Sequence, residues 1–154
     1  MINKNNKIKS LKPKLNSRYK QGYIDINECK KVFESQKNQP IIYRSSYERD
    51  FIKFLESNPN VVGWGSECIE VRYYNPIDKA FHSYYPDFVV KYKDNSIHVI
   101  EIKPSNQLKK PDSKNRYQVN EYIKNTAKWK AAKALCDRRK YKFSVISEKT
   151  LNTI

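Results

Sequence analysis

The middle of the chain carries two hydrophobic stretches with the side-chain alternation of β-strands. Residues 83–92 are rich in aromatic and β-branched residues, which predicts one strand, and residues 97–103 predict the strand that returns beside it. The polar residues 93–96 between them have the composition of a turn. Because side chains alternate along a strand, Glu101 and Lys103 share one face of the second strand. This strand is otherwise apolar on both faces, as is typical of a central strand covered on both sides.

The remaining hydrophobic pattern predicts two helices and two further strands. Residues 45–57 and 117–136 place apolar side chains at helical spacing. Residues 68–74 and 141–147 have the composition and alternation of strands. Residues 63–65, a tryptophan between two glycines, predict a break before the first of these strands. The order helix, three strands, helix and strand predicts a single α/β domain with a mixed β-sheet flanked by helices.

The turn between the two central strands decides whether Asp87 lies beside Glu101. Directly opposed residues of an antiparallel pair point to the same face of the sheet. A two-residue loop would place Asp87 opposite Ile102, which faces away from Glu101. A three-residue loop, residues 94–96, would place Asp87 opposite Lys103, on the face that also carries Glu101. A site shared by Asp87 and Glu101 therefore predicts an odd-length loop or a bulge in this hairpin.

The charge of the chain is strongly positive. Its 154 residues include 31 lysines and arginines against 16 acidic residues, a net charge of +15. Such an excess indicates a polyanionic partner, and the interleaved aromatic residues favour nucleic acid over a merely soluble basic surface. Residues 1–20 hold six lysines, one arginine and no acid. Residues 1–40 are therefore predicted to form a basic, flexible and partly disordered arm, and residues 41–154 the folded domain.

Cysteine, histidine and apolar residues are distributed in ways that limit the class of protein. The three cysteines are widely spaced and form no C-x-x-C pair, which suits a reducing cytoplasm and gives no zinc motif, and the two histidines are too far apart to supply one. No apolar run approaches membrane-spanning length, and no signal peptide is evident. We therefore expect a cytoplasmic protein with no membrane partner and no small-molecule cofactor.

Asp87, Glu101 and Lys103 would meet at the ends of the two central strands. Two carboxylates and a lysine add little to a core, but they can hold a divalent cation against a phosphate group. The alternative is a solvated ion pair, which contributes only about 0–1 kcal/mol when it is exposed. Because stability gives little reason for the cluster, these residues favour metal-dependent hydrolysis of a phosphodiester.

Two further polar residues on the predicted helices each allow a structural and a functional interpretation. Glu48 follows Ser45 at the spacing of a capping box, but it also lies at the edge of the buried helix face and could point toward the strand ends. Gln118 and Tyr122 are four residues apart and therefore neighbours on one helix face. The pattern alone favours an ordinary amphipathic helix over a site role for Gln118.

An ordered set of motifs resembles the PD-(D/E)XK nuclease superfamily. The motifs are Glu48, Pro86-Asp87, Glu101-Ile102-Lys103 and Gln118-x-x-x-Tyr122, the last of which resembles the RecB-like branch. Longer stretches are similar to the head completion nucleases of T4-like bacteriophages, namely residues 43–48, 64–67, 85–88, 101–104, Lys128-Trp129, 131–132 and 143–150. The N-terminal transposase subunit of Tn7-like elements has a similar catalytic domain. The resemblance extends over roughly residues 40–150.

The resemblance implies a restriction-endonuclease-like fold and a deoxyribonuclease that depends on Mg²⁺ or Mn²⁺. It implies an endonuclease and leaves an exonuclease mode open. The implied metal ligands are Asp87, Glu101, Glu48 and the backbone carbonyl of Ile102. The implied catalytic residues are Glu48, Asp87, Glu101, Lys103 and Gln118. In this scheme Lys103 positions the attacking water or stabilises the charge that develops on phosphorus.

The resemblance also implies DNA as the substrate and a role in phage assembly. The candidate contacts to the DNA backbone are Arg44, Lys109, Lys110, Lys114 and Arg116. Head completion would prepare DNA-filled heads for tail joining, with portal or neck proteins as partners, in the host cytoplasm or on the virion. Two alternatives stay open: a Holliday-junction or repair nuclease of the same fold, and a non-enzymatic DNA-binding protein of the virion.

Overall fold

The computed structural model describes residues 21–152, so the predicted basic segment 1–20 lies outside the described residues. The strands are β1 (Gly22–Ile24), β2 (Ile41–Tyr43), β3 (Val61–Ser66), β4 (Val71–Asn75), β5 (Ala80–Tyr84), β6 (Phe88–Tyr92), β7 (Ile97–Ile102) and β8 (Lys142–Ile146). The helices are α1 (Ser46–Ser57), α2 (Arg116–Arg139) and α3 (Glu148–Leu151). Short 3₁₀ turns occupy Ile26–Glu28, Glu34–Gln36 and Ser105–Gln107.

Four strands form a central mixed sheet in the order β3-β6-β7-β8. Strand β6 runs antiparallel to both β3 and β7, whereas β8 is parallel to β7. Strands β1 and β2 form one separate antiparallel pair, and β4 and β5 form another. The predicted α/β class, with a mixed sheet between helices, is confirmed.

Alternate residues of β6 and β7 pack against different helices. Phe88 and Ile100 belong to one core cluster with the apolar face of α1. Val89 and Val99 belong to another cluster with Cys136 of α2. The sheet therefore lies between α1 and α2, which explains why its central strands are apolar on both faces.

The strand predicted at residues 83–92 is divided in the structure. Strand β5 ends at Tyr84, and β6 begins at Phe88. Pro86 between them lacks the N–H group that a sheet ladder needs. Residues 85–87 instead carry the chain from the β4–β5 pair into the central sheet.

The break predicted at residues 63–65 is in fact the centre of β3. Trp64 is fully buried there. A Cβ atom on Gly63 or Gly65 would lie 2.7 or 2.8 Å from the ring of Phe33. The two glycines thus serve the close approach of an aromatic ring to the strand rather than a turn, which is the other common reason for glycine in a strand.

Residues 22–40, which were predicted to belong to the arm, are part of the packed domain. Strand β1 pairs with β2. Cys29 and Val32 are buried in the same core cluster as Leu55 of α1. The predicted boundary after residue 40 therefore falls inside the folded unit, because a few isolated apolar residues anchor an otherwise polar segment that has no clear periodicity.

Both predicted helices are present. Helix α1 covers nearly the predicted 45–57, with Ser45 as its N-cap, and α2 extends to Arg139, three residues beyond the prediction. Lys140 takes the left-handed conformation at the end of α2, with φ of 58°. Within residues 21–152, no helix has the length and apolarity needed to cross a bilayer.

Candidate active site

The loop of the β6–β7 hairpin contains an odd number of residues, as the site hypothesis required. The N–H group of Tyr92 donates to the carbonyl of Ser96 over 3.0 Å, which closes a loop of three residues, 93–95. Asn95 adopts a φ of 65°, a left-handed conformation that asparagine tolerates better than most residues. The predicted length is confirmed, although the loop begins one residue before the predicted 94–96.

This register places Asp87 opposite Glu101. Phe88 pairs with Ile100, so the next residues outward, Asp87 and Glu101, oppose each other. Opposed residues share a face, and here it is the face of the sheet that packs on α2. The predicted partner of Asp87, Lys103, is therefore wrong by two residues, but the predicted shared face is confirmed.

Glu101 is a buried carboxylate that is held at both oxygens. Its residue is only 4% exposed. The Nζ atom of Lys103 lies 3.1 Å from Oε1, and the hydroxyl of Tyr84 donates to Oε2 over 2.7 Å. A buried charge needs such partners, because an unpaired one is costly. Two contacts on opposite oxygens also fix the orientation of the carboxylate.

Asp87 lies just before β6, and its carboxylate turns toward the end of β7. Its Oδ2 atom accepts a hydrogen bond from the backbone N–H of Ile102 over 2.7 Å. Burial raises the pKa of Asp87 well above its usual range, and the negative charges of Glu101 and Glu48 raise it further. The Ile102 hydrogen bond and the Lys103 charge act against this increase in pKa without cancelling it. Like charges gathered in this way are relieved by a bound cation.

Lys103 provides a positive charge beside these carboxylates. Burial alone would lower the pKa of Lys103, but the carboxylates of Glu101 and Asp87 outweigh that effect and raise it. The backbone N–H of Lys103 donates to the carbonyl of Ile146 over 2.9 Å, which ties the end of β7 to β8. Lys103 is therefore charged, and its backbone is held in place by the parallel strand β8.

Glu48 keeps its predicted capping position, and its role in the site stays a prediction. It caps α1: its N–H donates to Ser45 Oγ over 3.2 Å, and its Oε2 accepts from the N–H of Arg44, rather than of Ser45, over 2.9 Å. Burial raises the pKa of Glu48, and the charge of Glu67 adds to the increase. Glu48 in turn raises the pKa of Asp87. A helix cap is thus close enough to the strand ends to act on their charge.

Gln118 is not brought into contact with the carboxylates. It is exposed in the first turn of α2, where its N–H donates to Asn115 Oδ1 over 3.1 Å. In the described part of the chain, no hydrogen bond or ion pair joins its side chain to Asp87 or Glu101. Helix geometry separates it from Lys128 of the same helix by about 15 Å. Its catalytic role therefore stays a prediction.

Four of the predicted DNA contacts lie on one segment that leaves the strand end immediately after Lys103. This segment, residues 104–116, runs from β7 to the first residue of α2, and its four exposed basic residues are Lys109, Lys110, Lys114 and Arg116. Arg44 lies just before α1, where its Nε atom is 3.3 Å from Glu67 Oε1. All five basic residues stay predicted DNA contacts.

Three residues near the site were not assigned a role from the sequence. Tyr84 was interpreted only as a strand residue, yet its hydroxyl holds Glu101. Glu67, with a φ of 46°, donates its N–H to the carbonyl of Asp87 over 3.0 Å. Lys128 of α2 lies over the Tyr84 ring, 5.5 Å from its centroid. Glu67 and Lys128 both fall within the stretches that carry the family resemblance, which was the available signal.

The oxygen donors at the strand ends fit a divalent cation bound mainly by two carboxylates. Within residues 21–152, no three acidic, histidine or cysteine side chains converge closely enough to hold a metal ion by themselves. Mg²⁺ commonly binds through one or two carboxylates and completes its shell with waters and phosphate oxygens. Asp87 and Glu101 are opposed, and Oδ1 of Asp87 accepts no hydrogen bond from another described residue. These two carboxylates therefore suit a Mg²⁺ ion that takes its remaining ligands from water and phosphate, better than a metal ion bound entirely by protein ligands.

The chain is similar to known nucleases. Residues 58–148 match the family model described as TnsA-like endonuclease N terminal, a range that includes Asp87, Glu101 and Lys103. The chain is 31% identical over 124 residues to the head completion nuclease of Enterobacteria phage T4. That alignment covers 74% of this chain and 83% of the phage T4 protein. The chain therefore belongs to the TnsA-like endonucleases, within the PD-(D/E)XK nuclease superfamily.

Proposed function

We propose that this protein is a divalent-cation-dependent deoxyribonuclease that acts in the completion of phage heads. The observation that carries the proposal is the opposition of Asp87 and Glu101 at the ends of two adjacent strands, with Lys103 3.1 Å from Glu101. This arrangement gathers negative charge that the described contacts do not neutralise, since the pKa of Asp87 stays raised by burial and by its acidic neighbours.

Asp87 and Glu101 would hold Mg²⁺ or Mn²⁺, with Glu48 completing the shell or helping to hold a second ion. When bound, the cation would polarise the scissile phosphate and make a bound water more acidic. The backbone carbonyl of Ile102 is a further candidate ligand. A strand residue directs its N–H and C=O groups to the same side, and the N–H of Ile102 reaches Asp87.

The protein groups would orient the reactants in hydrolysis of the phosphodiester. The oxygen of water bonds to phosphorus, the bond from phosphorus to the leaving oxygen breaks, and the leaving oxygen takes up a proton. Lys103 would hold the attacking water or offset the charge that grows on the phosphate oxygens. Tyr84 keeps Glu101 in place, and the Ile102 N–H does the same for Asp87, so neither carboxylate has to reorganise.

DNA is the proposed substrate because the chain is strongly basic and four exposed cations lie on the segment that follows the site. The net charge is +15, and the exposed basic residues of 104–116 are Lys109, Lys110, Lys114 and Arg116. Arg44 lies next to Glu48, whose side chain accepts the Arg44 N–H. Contacts of this kind position the DNA backbone without reading its sequence.

The proposed place of action is the phage head, in the host cytoplasm or on the virion, with portal or neck proteins as partners. The support is the similarity to a protein described as a head completion nuclease. Deletion of the gene should yield DNA-filled heads without tails, and an Asp87→Ala copy should fail to restore tailed particles. Normal particle assembly in the deletion would instead favour a repair role.

The enzymatic proposal is tested by cleavage of plasmid and linear DNA with Mg²⁺ and with EDTA. We expect the wild-type protein to cleave only with the cation, and Asp87→Ala and Lys103→Ala to be inactive. Asp94→Ala is the matched control, because Asp94 is an exposed aspartate in the turn of the same hairpin. If both site variants cleave as well as Asp94→Ala does, this site does not perform the reaction.

A comparison of branched and linear substrates separates head completion from junction repair. A nuclease of the proposed kind should cleave linear duplex DNA at a rate similar to that for a four-way junction. A strong preference for the junction would overturn the head-completion proposal while leaving the metal site intact.

A further inference from the structure

Lys128 is a half-buried lysine on the side of α2 that faces the site. Its Nζ atom lies 5.5 Å from the ring centroid of Tyr84 and 5.7 Å from that of Tyr73. Both tyrosines are buried on the inner face of the β4–β5 pair. The electron-rich faces of two aromatic rings attract an ammonium group and hold it in a defined position.

Lys128 has no carboxylate partner among residues 21–152, whereas the neighbouring lysines do. Lys103 is paired with Glu101, and Lys124 is paired with Glu121 over 2.5 Å. Burial lowers the pKa of Lys128, and the charges of Lys103 and Lys124 lower it further. A half-buried cation beside other cations costs folding free energy, so packing alone is a poor reason for a charge at this position.

The position of Lys128 relative to the carboxylates follows from Tyr84. The hydroxyl of Tyr84 donates to Glu101 Oε2, and its ring lies beneath Lys128, so one side chain links the two. Lys128 is nevertheless beyond ion-pair distance of Glu101, the carboxylate that Lys103 already engages. A negative group that met Lys128 would therefore lie beside the cleavage site rather than at its centre.

We infer that Lys128 binds a phosphate group of the bound DNA strand, next to the phosphate that is cleaved. This inference rests on the proposed function for the identity of the strand. The cation–π contacts and the Tyr84 link hold Lys128 near the site, and no carboxylate of the described residues pairs with it. A phosphodiester oxygen is the partner that a DNA-cleaving site supplies. Lys128 is then a substrate-binding residue rather than a ligand of the metal.

The test compares Lys128→Met, which keeps a long apolar side chain and removes the charge, with Lys128→Arg, which keeps the charge. Lys130→Met is the matched control, because Lys130 is exposed on the same helix. Each variant's affinity for a duplex is measured by fluorescence anisotropy in Ca²⁺ over a range of KCl concentrations. Cleavage is then measured in Mg²⁺ as separate kcat and KM values.

We expect Lys128→Met to weaken duplex binding by about tenfold and to reduce the slope of log affinity against log salt by about 0.9, the value for one phosphate contact. In the cleavage assay, Lys128→Met should raise KM more than it lowers kcat. Lys128→Arg should restore most of the lost binding and cleavage. The midpoint temperature of thermal unfolding should be unchanged or slightly higher in Lys128→Met than in the wild type, because the substitution removes an unpaired half-buried charge.

Two results would overturn the inferred phosphate contact of Lys128 and leave the proposed nuclease function unaffected. One is a Lys128→Met protein that binds and cleaves like Lys130→Met; the other is a loss of binding that Lys128→Arg does not restore at all. Failure of the nuclease proposal alone would give a different result. If the wild-type protein binds DNA with the expected dependence on Lys128 but does not cleave it in Mg²⁺, the nuclease proposal fails and the phosphate contact stands.

Discussion

The two faces of the β6–β7 hairpin are built from alternate residues of the same strands but differ in their chemistry. On the α1 face, Ile100 and Ile102 continue the apolar core to the end of β7. On the α2 face, Val99 is followed by Glu101 and Lys103. At the strand ends, the α1 face stabilises the fold by burial, whereas the α2 face gathers charges that burial makes unfavourable. Adjacent residues of one strand thus serve different purposes, one packing in the core and the next carrying charge at the site. Substitutions on one face should therefore change stability, and substitutions on the other should change DNA cleavage.

The largest expected effect is on the charged face. Glu101→Gln keeps the shape of the side chain but removes a charge from the proposed metal site. We expect DNA cleavage to slow by about 10³-fold or more, equivalent to about 4 kcal/mol of transition-state stabilisation. Thermal unfolding should show a folded protein, and the exposed Glu28→Gln serves as the control. Unchanged cleavage by Glu101→Gln would remove Glu101 from the reaction.

Substitutions in the core that covers the apolar face should change the free energy of unfolding instead of the cleavage rate. Leu55 of α1 is fully buried in the cluster that covers this face. Leu55→Ala should lower the free energy of unfolding by about 3 kcal/mol, measured by urea denaturation, because it leaves a cavity in the core. The cleavage rate per folded molecule should stay close to that of the wild type. A specific loss of cleavage would show that the two faces are not separable.

A smaller effect is expected at Tyr84, which connects the charged face to α2. Tyr84→Phe keeps the ring beneath Lys128 and removes only the hydrogen bond to Glu101. We expect cleavage to slow by about tenfold, equivalent to about 1.4 kcal/mol. Tyr92→Phe is the control, because Tyr92 lies at the end of β6 that is remote from Glu101. Equal rates for the two variants would mean that Glu101 keeps its orientation without this hydrogen bond.

The smallest expected effect is a pH dependence of stability in the absence of metal. The folded-state pKa of Asp87 is raised, so the folded protein binds the Asp87 proton more tightly than the unfolded chain does. The free energy of unfolding should therefore fall as pH rises from the ordinary aspartate pKa toward the raised one. Asp87→Asn should lack this loss and should be the more stable protein at neutral pH in EDTA.

Thermal unfolding of the two proteins across pH, with and without Mg²⁺, measures this difference. Added Mg²⁺ should stabilise the wild type and narrow the gap, because a bound cation relieves the repulsion. A wild-type protein that is more stable than Asp87→Asn at neutral pH in EDTA would contradict the electrostatic account.

The sequence was sufficient to predict the parts of the molecule that depend on local pattern. The alternation along residues 97–103 predicted β7, and the requirement that Asp87 and Glu101 share a face predicted an odd loop. The capping spacing of Glu48 after Ser45 predicted the N-terminus of α1. The strand and the helix start are set by neighbours in the chain, and the loop length follows from the chain once Asp87 and Glu101 are assumed to share a site.

The features that the sequence did not reveal depend on distant contacts. Gly63 and Gly65 were interpreted as a break, because the Phe33 ring that packs on them is some thirty residues away. Tyr84 and Lys128 gave no signal as a pair, since only the docking of α2 on the β4–β5 pair joins them. The distance of Gln118 from the carboxylates likewise depends on how α2 lies along the sheet.

Asp87 and Glu101 are proposed to bind together the cation that DNA cleavage requires. The most direct test is anomalous diffraction from crystals soaked in Mn²⁺, under conditions in which the protein cleaves DNA. We predict a peak about 2.0–2.3 Å from a carboxylate oxygen of Asp87 and one of Glu101. A peak bound by other residues, with these two carboxylates unchanged, would contradict the account.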